Sequence, residues 1–496
     1  MAKESDYQSR ITQQLGFALK DPNPNIRFLA LEGLQLFPGS KECDLIAPLL
    51  NDKDRFVKWK AIQVCGVLGM SRTFPVLQKL LSSSDMNTRL FAAYSLGMSG
   101  DCEYLPGLLD LAQKEDSPRV RQILVRILYL FGENAPWDFI AKATRDPDVG
   151  VRIDTAIILG RLAPIDAACD ILINLLEKES NNHVFATAIL SLGRFKRTVF
   201  VGYFQHSLLH QESRIRANAV EAIGQLHFKT IHKIIEPYLH DPSNRVKANV
   251  MAIYLQNGQG EKILSELGKL LESSNRWERS SGAWLAGTYK IASTVPALIK
   301  LLHDEEAVVA ERSAWALGKI GAKGTFDILK NSYMKANQWT LPYIIKAMGE
   351  IPSQVNAESV FKLMNKERSP LLKSQFIDLL AKIKAVNYKD NILKMLTEPD
   401  HHVRSGVYGF ISSIDADEAP DLLLSGLDDA NLKVRAVCAE LMIKKGDFRA
   451  LKALSALLND SDKLQRVHAA YTLREIAQRT SPGKSGDDMQ PKMNPT

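Results

Sequence analysis

At 496 residues, 45% hydrophobic and 24% charged with a net charge of +7, the chain has the make-up of an ordinary water-soluble protein. No stretch approaches the ~20 consecutive apolar residues a bilayer span requires, and Met1-Ala-Lys-Glu-Ser-Asp-Tyr holds no signal-peptide core. Cys43, Cys65, Cys102, Cys169 and Cys438 have no paired spacing, which argues against a disulfide framework or thiolate metal site and for reduced cysteines in a cytoplasmic protein.

Length alone suggests several domains, but one phrase returns along the whole chain. In order, its anchor positions are Arg27, Lys58, Arg89, Arg121, Arg152, Phe185, Arg216, Lys247, Arg279, Ala310, Leu341, Lys373, Arg404, Arg435 and Arg466. These fifteen copies are spaced by 31 to 33 residues, and twelve anchors are basic. A fixed period of that size predicts a solenoid.

Each copy opens with a helix start. Four residues before the anchor stands Asn, Asp or Ser in thirteen copies, from Asn23 and Asp54 through Asn337 to Asp462; such side chains accept the first free amides of a helix. Pro24, Pro118 and Pro370 follow at the first helical position, where a missing N–H costs nothing. Eleven residues past the anchor lie Gly69, Gly100, Gly132, Gly258, Gly321 and Gly446, where a left-handed stop residue belongs. A shorter apolar run, such as Thr294–Leu302, leads to the next copy. The chain is therefore expected to be all-α: an elongated α-solenoid, an α-α superhelix of about fifteen helical hairpins, continuous over residues 1–479. Residues 480–496 read as a disordered polar tail.

At ~100° per residue, offsets −1, +3, +4, +7 and +10 from the anchor share the apolar arc, and offsets +2, +5 and +9 face outward. The anchor sits at the edge of the core arc. Six residues before it an acid recurs in eleven copies, among them Asp21, Asp52, Asp146, Glu179, Asp241 and Asp304. The expected role of anchor and acid is a structural ladder, within one hairpin or between neighbours.

The pattern Asp-x-x-x-x-Val-Arg-x-x-Ala-Ala-x-x-Leu-Gly, carried well by Asp146–Gly160 and by Glu311–Gly321, resembles the HEAT repeat in the short form of the phycobilisome-lyase HEAT-like proteins. The resemblance covers nearly the whole chain and implies an armadillo-like fold in which the second helix of each hairpin lines a concave surface. It constrains function weakly, because the matching positions are packing positions.

The ladder breaks at Phe185, and again at Ala310 and Leu341, where Lys335 stands in an acid position. That last region also holds four of the six tryptophans: Trp277, Trp284, Trp315 and Trp339. Trp284 and Trp315 share offset +5 in neighbouring copies. With Arg312, Lys319, Tyr343 and Lys346 they form the candidate partner-binding patch, in the composition of an interface hot spot. The competing reading packs the two indoles as an extension of the core. The favoured function is a non-catalytic scaffold that binds a protein partner on its concave face and needs no cofactor.

Two alternatives stand beside it. A basic row at offset +9 (Arg161, Arg194, Lys319, Lys382, Lys444, Arg474, with Glu350 as its one acid) suits nucleic acid. The family resemblance allows bilin-lyase-like chromophore attachment or assembly. His206 and His210 share a helix face but have no third ligand nearby, and the absence of any His-Glu dipeptide argues against the deoxyhypusine hydroxylase type of HEAT-like iron enzyme.

Overall fold

The computed structural model describes residues 2–226, 231–414, 418–445, 447 and 449–480; Gly446 and the tail from residue 481 lie outside the described residues. Among the described residues there is no strand. A short and a long helix alternate through fifteen hairpins, the all-α solenoid that the period predicts.

The long helices start where the sequence places their caps. Asp54 caps Arg55–Val67, Asp148 caps Val149–Arg161, and Asn275 caps Arg276–Thr288. In each, the side-chain oxygen accepts an amide two or three residues on, at 2.9 Å from Phe56 and 3.0 Å from Val151. Hairpin 11 departs from this. Its long helix, Leu341–Gly349, is capped by Thr340 rather than Asn337 and has 9 residues, against 13 and 14 in the two preceding hairpins. Pro342 is at home only in a first turn, and Leu341 brings no guanidinium to tie down the preceding turn. Gln338 and Trp339 therefore stay outside the helix.

Positive-φ stops appear at Gly69, Gly100, Gly258 and Gly321, with φ between 62° and 69°, while Gly132, with φ 54° and ψ −122°, makes a kink instead of a left-handed stop. Lys196, Lys290 and Lys384 hold the same offset with φ of 52–53°, so the turn is kept even without glycine.

Residues 112–385 form one compact unit. Here the ladder runs from each hairpin to the next. Arg121 binds Asp146, Arg152 binds Glu179, Arg216 binds Asp241 and Arg279 binds Asp304, at 2.7–2.8 Å. The same guanidinium donates to two carbonyls of its own turn, as Arg152 does to Asp146 and Pro147. The receiving carboxylate accepts the amide two residues further on, as Asp241 does from Ser243 at 2.8 Å. One Arg thus fixes its own turn and the start of the next long helix.

Where the ladder changes in sequence, other groups take over. Phe185 stacks on His210, with ring centroids 6.3 Å apart, and His210 Nδ1 accepts the Glu212 amide as an acid would. Glu367 receives the Tyr333 hydroxyl at 2.5 Å in place of a guanidinium. Lys247 pairs with Glu278, because Ser273 holds the acid position.

Neighbouring long helices approach closely at offset +8. A β-carbon on Gly193 would lie 2.8 Å from Ala222 Cα, and one on Gly160 would lie 2.6 Å from Ser191 Cβ. This closeness corrects the helical wheel: offsets +2 and +5 do not always face outward. Asp154, Asn218 and, in the other unit, Lys60, Tyr94 and Glu440 are buried at those offsets, in the seam between adjacent long helices. The polar ones are compensated: Asn218 Nδ2 donates to Ala186 O at 2.8 Å, and Asp154 meets Arg126 at 3.0 Å.

Residues 1–111 and 386–496 make up the second unit. Arg27–Asp52 and Arg404–Asp429 are ordinary rungs. The elongated array expected from the period put the first and last hairpins at opposite ends; they are instead neighbours. Arg466 binds Asp21 at 2.9 Å and Arg474 lies 3.4 Å from Glu32. The reason is chemical continuity: Asp21 is the acid of the first copy and Arg466 the anchor of the last.

Candidate functional site

The patch residues are carried by Arg276–Thr288, Ala307–Ile320 and Leu341–Gly349. Trp284 is 38% exposed. Trp315 is half-buried, its ring edge against the preceding hairpin: a β-carbon on Gly287 would lie 2.5 Å from Trp315 Cζ3. Arg312 and Lys346 are exposed. Lys319 is tied to Glu350 at 2.7 Å. The Glu311 charge and hydrogen bond raise the Tyr343 phenol above its usual range.

A groove of about 830 Å³ opens where the long helices of hairpins 10, 11 and 12 run side by side, Pro370–Lys382 being the last. Tyr343 and Lys346 line it. Trp284, Arg312 and Trp315 do not, and Lys319 borders it only through its pair with Glu350. The wall also holds Trp339, Gln375, Asp378 and Lys382, which the patch reading missed. Trp339, 72% exposed, is the most accessible tryptophan here. It was visible as a member of the tryptophan cluster, but the wheel had no place for it because the helix starts after it.

Pro342, Ile345, Leu379 and the Trp339 ring supply apolar surface. The Glu350 carboxyl is held below its usual range by the Lys319 hydrogen bond, with the charges of Lys382 and Lys346 adding to it. Lys319, Lys346 and Lys382 gather around Glu350, and the wall also carries Glu311 and Asp378, so the groove is mixed in charge. Crowding by surrounding protein raises the Asp378 carboxyl. Gln375 Oε1 is buried without a hydrogen-bond partner, an acceptor left for something that enters.

The offset +9 row is partly consumed within the chain. Arg161 lies over Tyr129, Lys444 binds Glu440 at 2.7 Å, and Arg474 reaches Glu32. His210 is occupied by its stack and its amide. Among the described residues, Asp400, His401 and His402 bring ligand atoms within 4.8 Å of one another. Asp400 is already the N-cap of His401–Ser413 and bonds His402 Nδ1 at 3.0 Å, and the positive end of a helix disfavours a cation.

The sequence matches the family described as HEAT repeats over residues 43–128, 138–224 and 264–355, together more than half of the chain. No curated protein sequence matches it. Among solved structures, yeast importin-β (Kap95p) is similar at 14% identity with a TM-score of 0.55, over 96% of this chain and 78% of its own. Kap95p in a structure describing its binding to RanGDP is 13% identical with a TM-score of 0.44, over 95% and 77%. The karyopherin Kap121p bound to the extreme C-terminus of the protein phosphatase Cdc14p is 14% identical with a TM-score of 0.47, over 92% of this chain and 62% of its own. The likeness to importin-β at a TM-score of 0.55 speaks for the fold alone, and the repeat match gives the family: the chain belongs to the HEAT-repeat proteins.

Proposed function

We propose that the fifteen hairpins act as one continuous cytoplasmic scaffold and that hairpins 9–12 hold a protein partner. The observation that carries this reading is the groove beside Trp339, with Lys346 and Lys382 in its wall and Gln375 Oε1 among its lining without a hydrogen-bond partner. An extended acidic segment fits it. One apolar side chain lies between Trp339 and Leu379, its carboxylates meet Lys346 and Lys382, and a backbone N–H donates to Gln375 Oε1. Trp284, Arg312, Trp315 and Lys319 extend the same surface toward hairpin 9.

The test is parallel capture from nuclease-treated lysate with wild type, Trp339→Ala/Lys346→Glu and Trp284→Ala/Arg312→Ala. Circular dichroism verifies that each variant is folded. The reading expects a protein held by wild type and lost with the first variant, and weakened capture with the second. A captured protein indifferent to both variants overturns the site. Recovery of nucleic acid before nuclease treatment, with steep loss in salt, would support the nucleic-acid alternative instead.

The finer likeness to phycobilisome-lyase HEAT-like proteins belongs to this proposal as well. It would express itself as a coloured bilin adduct when the chain is mixed with an apo-phycobiliprotein and free bilin.

A further inference from the structure

Seven Arg–acid rungs repeat one anchor-to-acid pairing in the two units, and at Arg435 and Asp460 both members are present but the rung is open. Arg435 is the anchor of hairpin 14, and Asp460 is the matching acid of hairpin 15. Arg435 donates to the Asp429 carbonyl of its own turn through Nε, a bond that Nη1 makes in the closed rungs. Its fork then turns away from Asp460, and Nη1 reaches only the neutral Gln465 Oε1, at 3.4 Å. Asp460 keeps its other duty, accepting the Asp462 amide at 2.7 Å.

A cavity of about 310 Å³ lies beside this open rung. Leu427, Leu432, Leu454 and Leu457 give it apolar walls, and Ala469 and Thr472, both buried, close it at the long helix Lys463–Thr480. Two polar groups converge on it. One is the Arg435 guanidinium. The other is His468, whose buried Nδ1 has no hydrogen-bond partner. Burial and the neighbouring Arg435 charge hold His468 toward its neutral form, so with its proton on Nδ1 the ring is a donor. Asp428 is exposed at the mouth, where water screens it.

Six closed rungs, those of Arg27, Arg121, Arg152, Arg216, Arg279 and Arg404, show what this guanidinium binds: a carboxylate, taken by Nε and Nη2 together. We propose that the cavity between hairpins 14 and 15 is a binding site for a small apolar monocarboxylate, whose carboxylate takes the place of Asp460 on Arg435 and accepts from His468 Nδ1 while its hydrocarbon body fills the leucine-lined space. The volume is at the small end of ligand pockets, which suits a body of several carbons rather than a long chain.

The probes are octanoate, octanol and octylammonium, titrated calorimetrically into the full chain, with melting temperature followed in parallel. Octanoate is expected to bind saturably and raise the melting temperature, and the other two are not. Arg435→Met should weaken octanoate by about tenfold or more, the loss of a charge-assisted pair. Gln465→Glu is the second arm, because it is isosteric and places a carboxylate on the fork from within. It should close the rung and abolish binding while the protein stays folded, so the test survives if Arg435→Met unfolds. Equal binding of octanoate and octanol, octanoate binding unchanged in Gln465→Glu, or no saturable binding in the millimolar range would each overturn the site.

Discussion

Arg466 and Asp21 lie 445 residues apart in sequence and 2.9 Å apart in space, the same anchor-to-acid pairing that joins Arg27 to Asp52, made here through Nε where Arg27 uses both Nε and Nη2. Both members are mostly shielded, with side chains 17% and 9% exposed, so removing one strands the other. Asp21→Asn should destabilise by about 2–3 kcal/mol, close to the loss from Asp52→Asn at an internal rung. Urea unfolding of the two variants checks this. If Asp21→Asn leaves the midpoint unchanged while Asp52→Asn lowers it, the first and last hairpins are not held as neighbours.

The rungs also set an acid limit. Burial alone would raise the carboxyls of Asp52, Asp146, Asp241 and Asp304, but the Arg hydrogen bond, the capped amide and the Arg charge together bring them below 3.8. A carboxyl lowered by folding contributes stability that is complete above its unfolded pKa and is lost as pH falls through the folded value. Melting temperature should therefore be flat on this account from pH 7 to 5 and fall below about pH 4. Asp241→Asn should show a lower plateau and a shallower acid fall, since one titrating rung is gone. An acid fall as steep as wild type would show that the rungs do not carry it.

Much of this was legible in the sequence. The caps, the stops and the pairing of anchor with acid all follow from short-range chemistry that repeats every 31–33 residues, so any error in one copy is outvoted by the others. The missed features are those in which neighbouring copies meet. The seam at Gly193 and Gly160 buries Asp154 and Asn218 because the long helices touch, which a single wheel does not register. The late start at Leu341 moved Trp339 into the groove wall and left the Trp284–Trp315 row outside it. Asp21 and Arg466 each carry the mark of a rung in the sequence, but nothing in either hairpin says that the partner is the one 445 residues away.

Lys196, Lys290 and Lys384 occupy the positive-φ position that Gly69, Gly100, Gly258 and Gly321 hold in other hairpins. All three are exposed. An L-residue held there costs roughly 1–2 kcal/mol, partly offset by the entropy glycine loses on folding. Lys290→Gly should thus stabilise by about 0.5–1 kcal/mol, and Gly69→Lys, where a β-carbon meets nothing within 4 Å, should cost a similar amount. Paired thermal melts decide it; a Lys290→Gly protein that melts lower would place Lys290 in a contact of its own.

Glycines inside the long helices should behave in the opposite sense. Gly193→Ala drives a β-carbon to 2.8 Å from Ala222 Cα, where no side-chain rotation relieves it, and should cost about 1–3 kcal/mol. Gly268, on the short helix Leu264–Leu271, has nothing within 4 Å of that position, so Gly268→Ala should gain up to about 1 kcal/mol of helix propensity. Chemical denaturation of the two single variants distinguishes a packed seam from a generic glycine effect, because a generic effect gives both the same sign.

The Phe185–His210 stack offers the most direct test that ladder rungs are interchangeable units. Both residues occupy rung positions, and both other functions of the acid, the cap and the contact, are met by the imidazole. Phe185→Arg alone removes the stack and faces a guanidinium with an imidazole instead of a carboxylate. His210→Asp alone puts a carboxylate against an aromatic face. Each should lower stability by about 1–2 kcal/mol, and the double variant should recover most of the loss as an Arg–Asp rung, a coupling of about 1–3 kcal/mol. Raising salt should erode little of that coupling if the new pair is as shielded as Arg216 and Asp241, whose side chains are 12% and 4% exposed. A double variant whose losses simply add would mean that position in the repeat does not by itself specify a rung, and that hairpins 6 and 7 have shifted relative to each other to accommodate the rings.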